Sequence, residues 1–300
     1  MTHESCAQLD RALRQTLQAK WGIEQVPHPL SQGSTALTWE VSTKEAPAVV
    51  KLTWDAPDHF LAGLVASQAV EAGGIAAGAP VPSCSGKLAA VVRDGQHAWP
   101  VAVLQRVNGT PASLKKLHAA DLGTLLARLH VSLSSCETKG AWAVADVVGY
   151  MRRGVLASHP TWAHQEVRAA TRSLEDLYAI HQMRQQVIRG DGPEILLTPD
   201  GALAGVIDWG GIRFGSVADD IGCWTLYLGM LHRAYHEIRE EFLRGYTRVV
   251  RLSQEERAAV PIFQRLRLAS RICYVTDPDA LAFVQRWLFA WQSAGGEESS

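Results

Sequence analysis

The sequence predicts an α+β fold in which a small antiparallel sheet with one helix precedes a larger, mainly helical part. Short apolar runs bounded by turn residues, typical of strands, fill much of residues 37–104, and one helical stretch, Phe60 to Ala72, interrupts them. After Gln105 to Gly109 the pattern changes, because apolar residues then recur at helical spacing through most of the chain. We therefore place a boundary between two parts of the molecule at residues 105–109.

Each predicted element rests on a local pattern. Residues 4–21 are predicted to form an amphipathic helix, because leucines recur at helical spacing and Gly22 stands where a C-cap is needed. The predicted strands are Leu37 to Val41, Ala48 to Trp54, Leu88 to Val92 and Trp99 to Leu104. The later predicted helices are Leu117 to Ser132, two within residues 141–185 on either side of His159-Pro160, and several within residues 216–293.

The composition argues against several classes of partner. A net charge of −1 and a pI near 6.8 give no reason to expect nucleic acid or an anionic membrane surface. The five cysteines are far apart and include no Cys-x-x-Cys pair, so neither a disulfide framework nor a zinc site is indicated. The first residues are polar, and no run approaches the ~18 apolar residues of a membrane-spanning helix. We expect a cytoplasmic protein that binds neither nucleic acid nor a membrane.

Two carboxylates flank a predicted hairpin. Asp191 follows Arg189-Gly190, and Asp208, followed by Trp209-Gly210, lies 208 − 191 = 17 positions later. The residues between them predict two apolar strands, Ile195 to Leu197 and Leu203 to Ile207, joined by a Thr-Pro-Asp-Gly turn. A rigid hairpin would hold both carboxylates at one mouth. Phosphoryl transfer needs such a pair, one carboxylate for the acceptor hydroxyl and one for magnesium.

These motifs resemble the His-Gly-Asp and Asp-Trp-Gly signatures of the aminoglycoside phosphotransferase and choline kinase-like family, and the resemblance covers about residues 32–231. It implies a two-lobed protein kinase-like fold with an N-terminal nucleotide-binding lobe at residues 1–104, a hinge at 105–109 and a C-terminal helical lobe at 110–300. It also implies ATP or GTP and Mg²⁺ as cofactors and a small-molecule hydroxyl acceptor as partner. The sequence indicates no particular oligomeric state.

The resemblance assigns roles to four charged residues. Asp191 matches the catalytic aspartate and Asp208 the magnesium ligand of the family. Lys51, within the apolar run Ala48 to Leu52, matches a lysine that reaches the α and β phosphates of the nucleotide. The usual partner of that lysine is a glutamate on the following helix. Glu71 is the glutamate available there, although it stands near the helix end, where Gln68 is the alternative.

Backbone groups complete the expected nucleotide site. Gly33 and Ser34 occupy the position of the phosphate-covering loop, where backbone N–H groups and small side chains approach phosphate oxygens. Gln105 and Val107 in the hinge are expected to offer main-chain groups to the base, without indicating adenine or guanine.

The Asp191 loop departs from the family pattern. Five places after the aspartate the family has a metal-binding asparagine, but position 191 + 5 is Leu196, which cannot bind magnesium. Glu194 falls at or beside that position and offers an oxygen ligand. Arg189 replaces the family histidine and could pair with Asp208 or Glu194. These departures leave open a pseudokinase that binds nucleotide without turnover. A protein kinase is less favoured, because the Ala-Pro-Glu segment and the activation loop are missing.

A second match lies beyond the hairpin. Asp220 corresponds to a family aspartate that braces the catalytic loop through backbone hydrogen bonds, so we assign it a structural role.

The acceptor region is balanced in charge. Residues 141–182, where the family builds its acceptor pocket, contain four acidic and four basic side chains: Asp146, Glu166, Glu175 and Asp176 against Arg152, Arg153, Arg168 and Arg172. This balance favours a neutral or weakly charged hydroxyl compound over a polycationic aminoglycoside. Trp142 and Trp162 lie in the same region, where core packing is favoured over stacking on a substrate ring.

Overall fold

The computed structural model describes residues 3–32, 35–95, 97–136 and 139–294. They divide into two compact units. The first unit comprises Met1–Pro111, Thr138–Ala141 and Glu194–Gly210, and the second comprises Ala112–Glu137, Trp142–Pro193 and Gly211–Ser300.

Nine α-helices lie within the described residues: α1 His3–Trp21, α2 Pro57–Ala72, α3 Ala119–Leu133, α4 Val144–Gly154, α5 Thr161–Ile180, α6 Val217–His232, α7 Tyr235–Thr247, α8 Gln254–Ile272 and α9 Pro278–Ser293. None of the helices in these ranges is both long and apolar enough to cross a bilayer.

The strands of the same residues are β1 His28–Gln32, β2 Ala36–Ser42, β3 Pro47–Thr53, β4 Ala90–Arg93, β5 Ala98–Gln105, β6 Thr110–Pro111, β7 Trp142–Ala143, β8 Gln185–Ile188, β9 Ile195–Leu197, β10 Leu203–Val206 and β11 Arg213–Ser216. They form a five-stranded sheet in the order β1-β2-β3-β5-β4 and two three-stranded sheets in the orders β10-β9-β6 and β7-β11-β8.

The five-stranded sheet of the first unit is antiparallel throughout. One of its faces packs against α1, whose Leu9, Leu13 and Leu17 share a buried cluster with Val50 and Leu52 of β3. The leucine spacing in α1 therefore serves the core of this sheet, as expected for an amphipathic helix.

Strand alternation places Lys51 on the other face of the sheet. Val50 and Leu52 are buried on the α1 side, so the residue between them points the opposite way. The register partner of Lys51 on β5 is Ala102, and Ala102 packs with Phe60 of α2. Lys51 thus lies on the face that α2 covers.

Helix packing in the second unit relies on glycine. A Cβ at Gly123 of α3 would lie 2.1 Å from the carbonyl oxygen of Phe242, and a Cβ at Gly245 of α7 would lie 1.8 Å from that of Ala120. Both distances are too short for any side chain, so the two helices approach each other through their backbones. A separate buried cluster joins α6, α8 and α9: Leu226, Leu268, Leu288 and Trp291.

The structure confirms the predicted α+β class and the predicted hairpin, which is formed by β9 and β10. It also confirms the interruption at His159-Pro160, because α4 ends before these residues and α5 begins after them. Five short strands lack a clear alternation signal and were not predicted: β1, β6, β7, β8 and β11. The boundaries at residues 104/105 and 109/110 stay predictions.

Candidate functional site

In the first unit, Lys51 and Asp208 form an ion pair. Lys51 Nζ lies 2.8 Å from Asp208 Oδ1. The lysine side chain is 15% exposed, whereas the aspartate side chain is 53% exposed. A carboxylate that keeps half of its surface in solvent beside a nearly buried cation can still take a further ligand. The structure thus brings together two of the residues that the sequence indicated.

Asp208 stands in an unusual backbone conformation. Its φ is +64°, in the left-handed region that non-glycine residues seldom adopt. The N–H of Gly210 donates to Asp208 Oδ1 at 3.3 Å, which fixes the carboxylate over the turn. A Cβ at Gly210 would lie 3.8 Å from Lys51 Nζ, so the chain passes close to the ion pair. Strained conformations of this kind are concentrated at ligand sites.

The segment that follows α2 anchors the turn that carries Asp208. The Val206 N–H donates to the carbonyl of Ala76 at 2.9 Å. The buried Trp209 donates through Nε1 to the carbonyl of Ala77 at 2.8 Å. The two donors, Val206 and Trp209, lie on either side of Asp208 in the sequence, and both bind the segment after α2. The tryptophan of the Asp-Trp-Gly motif therefore acts as an anchor here.

Glu71 has a different partner from the one expected. Its Oε2 accepts hydrogen bonds from the N–H groups of Ala77 at 3.1 Å and Ala79 at 3.0 Å. The structure brings Lys51 to Asp208 and not to Glu71, because Glu71 lies at the end of α2 beside the chain that leaves the helix. Glu71 thereby supports the segment that anchors the Asp208 turn.

His59 is a buried residue of this region that sequence analysis missed. Its Nδ1 lies 3.1 Å from the carbonyl oxygen of Gly140, and its Nε2 lies 2.8 Å from that of Gly210. A Cβ at Gly63, one turn later in α2, would lie 2.5 Å from the carbonyl oxygen of Trp209. Helix α2 therefore contacts the Asp-Trp-Gly backbone closely. A lone histidine in an apolar helix gives no sequence signal for such contacts.

Gln105 and Val107, the two residues expected to hold the base, both lie in the part of the chain that the structure describes. The Gln105 N–H donates to the carbonyl of Ala79 at 2.9 Å, so only its carbonyl is left for a base. Gly78, with φ +64°, leaves room beside this strand: a Cβ there would lie 3.4 Å from the Gln105 carbonyl oxygen and 3.9 Å from Val107 Cγ2. Gly33 and Ser34, the predicted phosphate-covering loop, lie outside the described residues.

Glu194 is an exposed residue beside the Asp208 turn. Its carbonyl accepts a hydrogen bond from the N–H of Ile207 at 2.9 Å, so it faces the residue before Asp208 across the hairpin. Leu196, five places after Asp191, is buried in the sheet and offers no ligand. Within the described ranges, no three His, Cys, Asp or Glu side chains form a metal-binding group. A magnesium ion bound mainly by phosphates needs only one or two carboxylates.

In the second unit, Asp220 holds the loop that carries Asp191. Its Oδ2 accepts the Arg189 N–H at 2.8 Å, and its Oδ1 accepts the Gly190 N–H at 2.7 Å. This confirms the bracing role expected for Asp220. His130 Nε2 lies 3.0 Å from the same carboxylate, and His130 Nδ1 lies 2.7 Å from the Tyr246 hydroxyl.

The charge of Asp220 is stabilised although the residue is fully buried. Burial alone would raise the pKa of this carboxyl, but His130 and the backbone N–H groups of Arg189 and Gly190 lower the pKa below its ordinary value of 3.8. The loop is therefore tied to an ionised group.

Two further side chains hold carbonyl groups of the same loop. Arg267 of α8 donates through Nη2 to the carbonyl of Gly190 at 2.6 Å, and Trp224 of α6 donates through Nε1 to the carbonyl of Asp191 at 3.0 Å. Burial alone would lower the pKa of Arg267, whereas the adjacent Cys223, Asp219 and Asp191 raise it. Sequence analysis missed both donors.

Close packing fixes the loop from the remaining side. Gly190 has φ +71°, and a Cβ there would lie 2.0 Å from the carbonyl oxygen of Gly211. A Cβ at Gly211 would in turn lie 2.8 Å from Asp191 Cβ. Both glycines are required for this approach. Asp191 itself is exposed, whereas the Arg189 side chain is fully buried.

The two units together define the class of the molecule: it has a protein kinase-like fold. Among solved structures, the amicoumacin kinase hAmiN in complex with AMP-PNP, Ca²⁺ and Ami is similar at a TM-score of 0.77 and 15% identity, covering 98% of this chain and 97% of that chain. The microcompartment-associated aminopropanol kinase is similar at a TM-score of 0.74 and 17% identity, covering 96% and 99%.

The spectinomycin phosphotransferase APH(9)-Ia in complex with ADP and spectinomycin is similar at a TM-score of 0.60 and 12% identity, covering 97% and 94%. At such identities the likeness establishes the fold. No family model matches the sequence, and no curated protein matches it.

Proposed function

We propose that this chain is an ATP- or GTP-dependent phosphotransferase acting on a hydroxyl group of a small molecule. The observation that carries the proposal is the ion pair of Lys51 and Asp208, in which a strained turn presents a half-exposed carboxylate beside a cation. An exposed ion pair contributes little to stability, so such a turn is better explained by a ligand.

The fold supports this proposal. Its relatives in structure are named as kinases or phosphotransferases of amicoumacin, aminopropanol and spectinomycin, and two of them were solved with AMP-PNP and Ca²⁺ or with ADP. Two of the three were solved with a nucleotide, one of these also with a divalent cation, and all three are named for a small molecule. We propose the same three partners for this chain, with Mg²⁺ as the cation.

The residues of the first unit fit a magnesium-bound nucleotide. Asp208 offers the hard oxygen that Mg²⁺ prefers, and Glu194 is a second exposed carboxylate beside the same turn. Lys51 supplies a positive charge for phosphate oxygens. When bound, the cation would neutralise charge on the transferred phosphoryl group.

The remaining roles follow the resemblance. Gly33 and Ser34 would cover the phosphates, and the carbonyl of Gln105 with the backbone of Val107 would hold the base. Glu71 would support the site through the segment it binds. Asp191 would orient the acceptor hydroxyl and accept its proton. The hinge proposed at residues 105–109 would separate the nucleotide-binding part of the chain from the part that carries Asp191.

The test measures ADP and GDP release with Mg²⁺ over a panel of hydroxyl compounds, in the wild type and in Asp208→Asn and Asp191→Asn. Both variants are expected to lose activity, Asp191→Asn by roughly 10²- to 10⁴-fold, the typical size of general acid–base catalysis. The control is Asp200→Asn, an exposed aspartate in the turn of the same hairpin. Wild-type rates in Asp208→Asn would remove the assignment.

One observation favours a second candidate, a nucleotide-binding module without turnover. Leu196, five places after Asp191, is buried, so the metal-binding asparagine that the resemblance implies at this spacing is missing. A thermal-shift titration separates the candidates: nucleotide and magnesium at 100 times their Kd should stabilise either protein by ≈ 2.7 kcal/mol, but only the enzyme releases ADP or GDP in the presence of an acceptor.

A further inference from the structure

An arginine lies beside the Asp191 loop in the second unit. Asp191 Oδ1 accepts the N–H of Gly192 at 2.8 Å, and a Cβ at Gly192 would lie 3.1 Å from Cε2 of the Tyr227 ring. On that ring lies Arg271 of α8, with its Cζ 5.4 Å from the ring centroid. Tyr227 therefore lies beside Gly192, the residue directly after Asp191, and carries Arg271 on its ring.

Arg271 is available for a ligand, unlike Arg265 and Arg267 of the same helix. Arg265 is bound to both carboxylate oxygens of Glu166 at 2.8 and 3.0 Å, and Arg267 is buried against the carbonyl of Gly190. Arg271 is exposed and forms no ion pair with the residues that the structure describes.

The contact with Tyr227 suits Arg271 to anion binding. A guanidinium placed over an aromatic ring is held by the ring face and keeps its N–H edge for a planar oxyanion. Carboxylates and phosphates accept two parallel hydrogen bonds from such an edge. Tyr227 is half-buried, so the ring that supports Arg271 is itself held by α6.

We propose that Arg271 determines acceptor specificity by binding an anionic group, a carboxylate or a phosphate, on the molecule that carries the reacting hydroxyl. This inference rests on the proposed phosphotransferase function. An anionic acceptor is repelled by the Asp191 carboxylate and by nucleotide phosphates, so a cation on the acceptor side is needed to offset the repulsion. The same cation disfavours a polycationic acceptor.

The experiment compares matched acceptors that differ only at the end away from the hydroxyl. One set is 4-hydroxybutyrate, its carboxamide and 4-aminobutanol, and a second set is glycerol 3-phosphate and glycerol, within a wider panel built on the same plan. ADP or GDP release gives kcat/KM for each compound. The variants are Arg271→Met, Arg271→Lys and, as control, Arg286→Met, which removes a similar arginine over the Phe283 ring of α9.

We expect the wild type to prefer the anionic member of each matched set. Comparison of the carboxylate set with the phosphate set shows which oxyanion is bound. Arg271→Met should reduce the kcat/KM ratio of anionic to neutral members by about tenfold or more, the effect of one hydrogen bond to a charged group. Arg271→Lys should recover part of that ratio, and Arg286→Met should not change it.

Three results would overturn the proposal. A wild type that prefers neutral or ammonium members excludes an anionic acceptor, and an unchanged ratio in Arg271→Met excludes this residue as its ligand. Neither of these two results contradicts the proposed phosphotransferase function. If no compound in the panel stimulates nucleotide turnover, the proposed function fails and the acceptor proposal fails with it.

Discussion

The Asp208 turn and the Asp191 loop each present a carboxylate, but the protein holds them in different ways. Asp208 is fixed by an ion pair with Lys51, in which the carboxylate is half-exposed, and by a strained φ of +64°. The Asp191 loop is fixed through its backbone, with Asp220 on its N–H groups and Arg267 on a carbonyl, and both of these side chains are buried.

The difference indicates which part of each region is free to interact with ligands. In the first unit the carboxylate of Asp208 itself remains accessible to solvent, beside the nearly buried ammonium group of Lys51. In the second unit the buried charges hold the backbone of the loop, and the carboxylate of Asp191 is exposed. Removing a charge should therefore damage stability in the second unit and ligand binding in the first.

The largest expected effect is that of Asp220→Ala on folding. The substitution leaves the Arg189 and Gly190 N–H groups and His130 without their buried partner, which should cost roughly 3–5 kcal/mol of unfolding free energy. Urea unfolding measures the loss. Asp208→Asn, as the comparison, should stay within about 1 kcal/mol of the wild type, because the carboxylate that it replaces is half-exposed and water can compensate for the weakened ion pair. Equal losses in the two variants would contradict the contrast between the regions.

The difference in unfolding free energy between the wild type and Asp220→Ala should depend on pH, which provides a further check. Because folding lowers the pKa of Asp220, its contribution to stability is present above the ordinary value of 3.8 and is lost as the pH falls through the lower pKa of the folded state. The gap in unfolding free energy between the wild type and Asp220→Ala should therefore be constant near neutral pH and shrink below pH 3.8.

An intermediate effect is expected for Arg267→Met. Loss of the 2.6 Å hydrogen bond to the Gly190 carbonyl should loosen the Asp191 loop and lower kcat about tenfold to a hundredfold, while the KM for nucleotide is unchanged. Arg267→Lys should restore part of kcat, as expected of a positioning residue.

A matched control for Arg267 lies on the same helix. Arg265→Met breaks the two-point ion pair with Glu166, a residue of α5 and not of the Asp191 loop, so it should lower stability and leave kcat unchanged. An equal fall of kcat in both variants would show that the helix as a whole, and not the contact to Gly190, supports catalysis.

Local patterns were sufficient to predict part of this arrangement. The hairpin from Ile195 onwards follows from its turn residues and its two apolar strands. The bracing by Asp220 was predicted from the family resemblance, and its hydrogen bonds are confirmed. Whether Asp191, Asp208 and Glu194 perform the assigned chemistry stays a prediction.

Contacts between residues distant in sequence could not be predicted. Arg267 reaches Gly190 over 77 positions, and His59 reaches Gly210 over 151. Nothing in a helical periodicity distinguishes such an arginine or histidine from one that simply faces solvent or core. The partner of Glu71 was missed for another reason: a glutamate in the last turn of a helix can reach the N–H groups of the chain that follows, and here it does.

The smallest expected effect is that of Lys51→Met on stability. Asp208 is 53% exposed, so water can replace the lysine as its partner, and the unfolding free energy should change by less than about 1 kcal/mol. Arg152→Met, which breaks another exposed ion pair, with Glu175, is the control for stability. Only Lys51→Met should abolish the thermal shift that nucleotide and magnesium produce. If Lys51→Met instead destabilised the protein by several kcal/mol, the pair would be a structural element, and the Asp208 turn would need an explanation other than a ligand.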